Sequence, residues 1–501
     1  MQSNNLAGTQ VLVVGAGIMG VGIAQVAAQA GHSVWLQDTC PGAAVVAKDK
    51  LSNTLAALVS KGKLQTETAA QILARITPID TLEPAANAGL VVEAIVENLA
   101  AKRALFQLLE SLVAADCILA TNTSSISVTA IAHGLQRPAR LVGMHFFNPV
   151  PLMKLVEVVS GLQTEASVAD AIFALCQRWG KVPVHARSTP GFIVNRIARP
   201  YYAESLALLQ EQATTPAVLD ACWRAAGFRM GPCELMDLIG HDTNFAVTQS
   251  VFEANFYDKR YAPSLVQREM VDGGLLGRKS GRGFFAYGPD ATKPSVEDFK
   301  RPEFPSVRAL CVHGQGFVAE RLMGALDALG HSFARAERSD WIGLELDGHH
   351  LRLTDGRAAS AFGAQTAVFD LPLQAQAGAV LAWAPSASAS PAWVALASQC
   401  LRALGFDAQQ LADVPGLAVA RTVAMLINEA SDAVHQGVCS LQGADDAMLL
   451  GLNYPAGPFQ WLAQWGAPSV VQLLDHLDTH YRGERYRVSP GLRHRVWQAA
   501  V

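Results

Sequence analysis

Two side chains stand out as candidates for proton chemistry, His145 and Glu157. His145 closes the apolar run Leu141-Val142-Gly143-Met144, and Glu157 interrupts Leu155-Val156-Glu157-Val158-Val159. A carboxylate inside such a run is costly unless it is paired, and a histidine at a neighbouring strand end is its natural partner. A carboxylate bonded to one imidazole nitrogen fixes the tautomer and raises basicity, leaving the other nitrogen as a general base. Taken singly, the residues leave a plainer alternative open, with Glu157 on an exposed edge and His145 in an ordinary loop. Two more polar clusters follow apolar runs, Glu93-Ala94-Ile95-Val96-Glu97-Asn98 and Thr121-Asn122-Thr123-Ser124-Ser125.

The elements that must position these residues start at Gln10–Val14, a short apolar run expected to be a strand buried on both faces. Gly15-Ala16-Gly17-Ile18-Met19-Gly20 follows, then a helical stretch to about Ala30, a second strand from Ser33 to Gln37, and Asp38 at its end. Strand, Gly-x-Gly-x-x-Gly, helix, strand, acid is the order of a Rossmann unit. Gly15 is expected to make the tight turn, Gly17 to admit a pyrophosphate, and Gly20 to let helix pack on strand, with phosphates at the helix N-terminus. Asp38 is expected to bind the adenosine ribose and to repel a 2′-phosphate, which favours NAD over NADP. Further strands at Ile76–Thr81, Leu90–Ala94, Cys117–Thr121 and Leu141–His145 alternate with helical stretches, so the sheet is expected to be mostly parallel, with ligands at the strands' carboxyl ends.

At 501 residues the chain needs two to four domains. Half of the residues are hydrophobic, and Lys+Arg 39 against Asp+Glu 43 leaves a net charge of −4, which argues against nucleic acid or an anionic membrane as partner. Apolar runs stop short of the roughly 18 residues of a membrane span. No secretion signal opens the chain, and the eight cysteines are scattered without a C-x-x-C pair. A cytoplasmic location and no metal are the expectations.

Gly-Met-His-Phe-Phe-Asn-Pro-Val-Pro-Leu-Met-Lys-Leu-Val-Glu-Val (143–158) and Thr-Pro-Gly-Phe-Ile-Val-Asn-Arg (189–196) closely resemble signatures of the L-3-hydroxyacyl-CoA dehydrogenases. The resemblance covers about residues 8–287. It implies that His145 is the base, that Glu157 orients it, and that Ser124 and Asn195 hold the reacting group. It puts Asp38, Glu97, Lys102, Asn148 and Lys279 at NAD contacts, and makes the stretch bearing Lys48, Lys50, Lys61 and Lys63 a helical arm for the CoA phosphates, with Thr54 and Lys61 at the matching positions. Lysines at such intervals also suit a solvated helix face. From Pro190 the pattern turns helical, as in the family's substrate and dimerisation domain, and His241 and Asp242 read as structural.

The second half reads as a decayed repeat. Ala309–His313 and Gly314-Gln315-Gly316-Phe317-Val318-Ala319 echo the first strand and glycine loop, with Ala319 at the third glycine and Glu337 at the place of Asp38. The His349–His350 pair reads as part of a polar turn, and Pro385–Pro391 as a loop. Pro415-Gly416-Leu417-Ala418-Val419-Ala420-Arg421 aligns with Pro190–Arg196, so Ala420 replaces Asn195 and the copy is expected to be non-catalytic. A weak nucleotide site at Gly314–Ala319 stays open.

The expected architecture is an α/β Rossmann domain (1–187), a helical domain (188–290), a shortened degenerate Rossmann-like segment (291–408) after a Pro-rich linker near Lys293–Pro305, and a second helical domain (409–501). The second helical domain is expected to pack on the first, and a homo-oligomer is allowed. The function implied by the resemblance is NAD-dependent oxidation of an (S)-3-hydroxyacyl-CoA, with 3-hydroxyadipyl-CoA ahead of 3-hydroxybutyryl-CoA as substrate. Arg199, Arg224 and Arg229 are candidate cations for a dicarboxylic acyl end. The rival from another class is a catalytically dead NAD-binding scaffold.

Overall fold

In a computed structural model, which describes residues 6–288, 299–374 and 376–499, the chain divides into two compact units. The first holds residues up to 196 together with 436–452, and the second holds 197–435 and the chain from 453 onward. The linker expected near Lys293–Pro305 lies partly outside the described residues.

The first unit begins with β1 (Val11–Val14), every residue of which is buried, then α1 (Ile18–Gln29) and β2 (Val34–Gln37). Next come α2 (Ala43–Ser60), α3 (Thr66–Arg75), β3 (Ile76–Ile79), β4 (Leu90–Glu93), α4 (Leu99–Leu112), β5 (Ile118–Thr121), α5 (Val128–Ala132), β6 (Leu141–Phe146), β7 (Leu155–Ser160), α6 (Ala166–Arg178) and β8 (Val182–Arg187). They form one eight-stranded sheet of order β3-β2-β1-β4-β5-β6-β7-β8. The strands from β3 to β6 are parallel, and β7 runs antiparallel to β6. That reversal sets His145 directly opposite Glu157 in register. Ala24, Ala27 and Ala28 let α1 lie close on the sheet, and the core spreads from there to Val142, Val156 and Val158. Asn98 starts α4 by accepting Ala101 N at 3.0 Å, which fixes how the chain leaves the end of β4. A short α7 (Val194–Ile197) leads into the second unit.

The second unit opens with α8 (Arg199–Gln210), α9 (Pro216–Ala225), α10 (Pro232–Ile239), α11 (His241–Ala254) and α12 (Leu265–Asp272). A second sheet follows, built from β9 (Leu310–His313), β10 (Ala334–Ala336), β11 (Gly343–Leu346), β12 (His349–Leu353), β13 (Thr366–Phe369), β14 (Ala379–Pro385) and β15 (Phe406–Gln410), with α13 (Phe317–Ala328) and α14 (Pro391–Ala403) between them. Its order is β10-β9-β11-β12-β13-β14-β15. Here β11 runs antiparallel to both β9 and β12, unlike any strand between β3 and β6. His349 and His350 lie on β12 and not in a turn, which is a correction; the turn is Asp347-Gly348 just before them. α15 (Val419–His435) packs on α8, so the second helical copy does pack on the first. α16 (Leu441–Gly451) belongs to the first unit, although its sequence reads with 409–501. α17 (Pro458–Trp465), α18 (Ala467–Tyr481) and α19 (Pro490–Ala499) complete the second unit.

Candidate active site

His145 Nδ1 and Glu157 Oε2 stand 2.6 Å apart, and Glu157 has no exposed surface. The other carboxylate oxygen, Oε1, accepts Ile193 N at 3.0 Å and Val194 N at 2.9 Å. One carboxylate therefore orients the imidazole and also holds the turn that carries Asn195. That turn is strained: Phe192, a bulky residue, sits at φ 47°, a conformation kept only when the surroundings enforce it. Phe147 and Phe192 lie against the His145 ring and shield the pair from water.

Asn195 Nδ2 points to Ser124 O at 3.4 Å, which brings these two residues together. Ser124 itself hangs on Glu97, whose Oε1 accepts Thr123 Oγ1 at 2.7 Å, Ser124 N at 3.0 Å and Ser125 N at 3.1 Å. Burial pushes the Glu97 carboxyl up, but Lys102 and the hydroxyls of Thr123 and Ser125 outweigh it and hold the group below its ordinary value. Lys102 is buried, 2.6 Å from Glu93 Oε1 and 3.2 Å from Glu97 Oε2. Its amine thus ties the end of β4 to the serine loop. Glu93, whose second oxygen accepts Thr121 Oγ1 at 2.7 Å, went unrecognised in the sequence as part of this network. An acid closing the apolar run Leu90-Val91-Val92, nine residues before a lysine, was the available signal.

The glycine loop fits a dinucleotide. A Cβ on Gly15 would stand 2.4 Å from Ala94 O and one on Gly20 1.8 Å from Gly15 O, whereas one on Gly17 would meet nothing within 4 Å. The open space is therefore at the glycine expected to face a pyrophosphate. Gly17 gives α1 no side-chain cap, so amides of its first turn stay available for phosphate oxygens. Met19 packs inward on the core while Ile18 is exposed. Asp38 Oδ2 accepts Ala16 N at 2.7 Å, which fixes the carboxylate beside the loop at the end of β2.

A groove of about 870 Å³ runs from Gly17 and Ile18 along α1 to the inner side of α2, and closes against Asn148–Leu152. Thr54 and Lys50 line it. Lys61, just past the end of α2, is exposed and does not. Lys181, its amine pulled down to about 8 by burial, donates to Val150 O and Met153 O and so fixes the groove's far wall. Among the described residues there is no group of His, Cys, Asp and Glu that could hold a metal, and no helix is long and apolar enough to cross a membrane.

Other expected residues lie in the second unit and have partners there. Lys279 pairs with Asp242. His241 bonds Asp237 at 2.8 Å, and Asp237 also accepts the amides of Phe284 and Phe285, a structural cluster. Arg224 pairs with Glu234 at 3.1 Å, and Arg199 bonds Thr248 at 3.2 Å and lies over the Tyr202 ring. At the second glycine loop a Cβ on Gly314 would meet Trp341 O at 2.6 Å, and Trp341 stacks on His313 with ring centroids 4.1 Å apart. This matches the first copy, where a Cβ on Gly15 would meet Ala94 O, and Gly316, like Gly17, would meet nothing within 4 Å.

A Rossmann sheet with this glycine loop, an acid ending β2 and a long groove alongside defines the class, an NAD-binding dehydrogenase. Residues 10–189 match the 3-hydroxyacyl-CoA dehydrogenase NAD binding domain, and 191–287 and 416–499 match that family's C-terminal domain. Residues 351–415 match the 3-hydroxybutyryl-CoA dehydrogenase reduced Rossmann-fold domain. The chain is 44% identical to an Escherichia coli K12 protein named 3-hydroxyadipyl-CoA dehydrogenase, over 97% of each. A crystal structure of 3-hydroxybutyryl-CoA dehydrogenase from Escherichia coli K12 superposes with a TM-score of 0.88 at 42% identity, covering 98% of this chain and 99% of that one. A probable 3-hydroxybutyryl-CoA dehydrogenase of Bacillus subtilis is 41% identical, over 56% of this chain and 97% of its own. The chain belongs to the 3-hydroxyacyl-CoA dehydrogenase family. It is an NAD-dependent 3-hydroxyacyl-CoA dehydrogenase with a Rossmann domain, a helical C-terminal domain, a reduced second Rossmann-like segment and a second helical stretch that matches the C-terminal domain.

Proposed function

We propose that the chain oxidises (S)-3-hydroxyadipyl-CoA, with His145 as the base. The observation that carries the chemistry is the 2.6 Å bond between His145 Nδ1 and the fully buried Glu157. With Nδ1 held, Nε2 is the nitrogen left for the substrate, and it takes the proton of the 3-hydroxyl as the carbonyl forms. Glu157 stabilises the imidazolium and keeps the ring from turning. Ser124 and Asn195 bind the oxygen whose charge changes, which is positioning and electrostatic work. NAD, when bound, accepts the hydride that leaves C3; in the reverse direction His145 returns the proton to the alkoxide oxygen.

In this reading the glycine loop and Asp38 hold the cofactor's pyrophosphate and ribose. Glu97, Lys102 and Asn148 are further cofactor contacts in it. Thr54 and Lys61 meet the CoA nucleotide, and Lys50, which lines the groove, is added to them. The free cysteines suit a cytoplasmic enzyme.

The adipyl preference is supported by the name of a relative matched over 97% of both chains. The second reading, 3-hydroxybutyryl-CoA, is supported by the name of the crystal structure matched over 98% of this chain. NADH formation with each acyl-CoA, compared as kcat/KM, separates them: adipyl ahead by about tenfold or more, roughly 1.4 kcal/mol, supports the proposal, and butyryl ahead rejects it.

A further inference from the structure

The strained turn at 191–196 needs support from outside as well as from Glu157, and residues 436–452 of the second copy lie in the unit that contains it. The segment meets the turn at both ends. At its start, Arg196 Nη1 donates to Gln436 Oε1 at 2.9 Å, and Arg196 directly follows Asn195. Arg187 N donates to Val438 O at 2.9 Å, which ties down the end of β8 just before the turn. At the segment's far end, a Cβ on Gly451 would stand 2.7 Å from Leu155 Cδ2 and 3.1 Å from Val194 Cγ2. Leu155 begins the strand that carries Glu157, and Val194 N is one of the two donors to Glu157. Between these ends α16 packs on β7 and β8, started by Ser440, whose Oγ accepts Gly443 N at 3.0 Å.

The arrangement has a counterpart. Arg421 is the residue matching Arg196, and Glu211 matches Gln436 at the same offset. Arg421 Nη2 lies 3.3 Å from Glu211 Oε1. Each copy's arginine after the turn is therefore received by the other copy, at matching positions. Such reciprocity marks the contact as part of the repeat's design and not an incidental touch.

We infer that Gln436–Leu452 is a positioning element of the dehydrogenase site, holding from outside the turn of Asn195 and the strand of Glu157. Gln436 acts through Arg196, and Gly451 acts through Val194 and Leu155. This gives the non-catalytic copy a role in the first copy's reaction. The inference rests on the His145–Glu157 reading above. A relative of 41% identity is matched over 97% of its own length by only 56% of this chain.

The test uses the full-length enzyme and reduction of acetoacetyl-CoA by NADH, with Gln436→Ala, Gln436→Glu, Gly451→Val and His145→Gln side by side. Gln436→Ala should lower kcat about fivefold or more, with KM for acetoacetyl-CoA and the NADH dissociation constant within about twofold, because misplacement of reacting groups is felt in turnover. Gln436→Glu, which keeps an acceptor for Arg196, should recover most of the loss. Gly451→Val should cost more than Gln436→Ala. Wild-type kcat in both Gln436→Ala and Gly451→Val, with His145→Gln inactive, overturns the inference and leaves the His145 reading standing. An active His145→Gln overturns that reading and the inference with it. If Gly451→Val does not fold, the two Gln436 variants decide alone.

Discussion

The two copies build the same turn and use it differently. In the first, Gly191 and Phe192 take φ 77° and 47°; in the second, Gly416 and Leu417 take φ 75° and 52°. Both turns present their following amides to a buried carboxylate. Glu157 receives Ile193 and Val194, and Asp370 receives Ala418, Val419 and Ala420 at 3.0, 2.7 and 2.8 Å. The difference lies in how the oxygens are spent. Glu157 gives one oxygen to the turn and the other to His145, whereas Asp370 gives both to backbone amides. A strained turn with buried N–H groups demands an acceptor whatever the protein does. A buried acid therefore serves the turn in both copies, but from different strands: Glu157 stands on β7, and Asp370 follows β13, which takes the place of β6 in the second sheet.

Exchanging the acids' capacities should break this comparison most sharply. An amide has one oxygen, so Glu157→Gln must give up either the turn or a correctly held imidazole. Turnover should fall by at least about 100-fold, the usual scale of a positioned base, and a loss below tenfold would remove the shared-carboxylate account. Asp370→Ala should leave kcat unchanged and cost about 1–3 kcal/mol of stability through unsatisfied buried amides, read from denaturant unfolding. A fall in kcat without a fall in stability would reverse the roles assigned to the two acids.

A smaller effect is expected at Ala420, which stands where Asn195 does and has no exposed surface. Ala420→Asn should bring no gain in rate and should destabilise by about 1–3 kcal/mol through overpacking. A rate increase would mean that the second copy retains a usable centre. The smallest effect concerns pH. Burial pushes the Asp370 carboxyl up to about 6, a rise that its backbone donors only partly offset. Folded protein then holds this proton to higher pH than unfolded protein does. The group's contribution to stability falls as pH rises from about 4 to about 6. Asp370→Asn should flatten that part of the melting-temperature profile, leaving a slope from Asp220, which burial also raises to about 6; an unchanged profile would count against it.

Much of the first copy was legible in the sequence because its signals are local. The glycine loop, Asp38 and the acid inside an apolar strand each announce themselves within a few residues, and the antiparallel step between β6 and β7 then brings His145 and Glu157 together. Asp370 was not legible, since its partners are backbone amides 48 to 50 residues away, and amides have no sequence identity. Lys102 is expected at a cofactor contact through the family resemblance alone, and its pairing with Glu93 and Glu97 comes only with folding. The reversal of β11 and the return of 436–452 to the first unit depend on long-range packing, which neither periodicity nor spacing encodes.

The most direct measurement is turnover of His145→Gln with NADH binding followed in the same preparation. Turnover reduced by at least about 100-fold, with the NADH dissociation constant within about twofold of wild type, is the predicted result. Near-normal turnover would contradict the account, because His145 would then not be the base that Glu157 and its turn are built to hold.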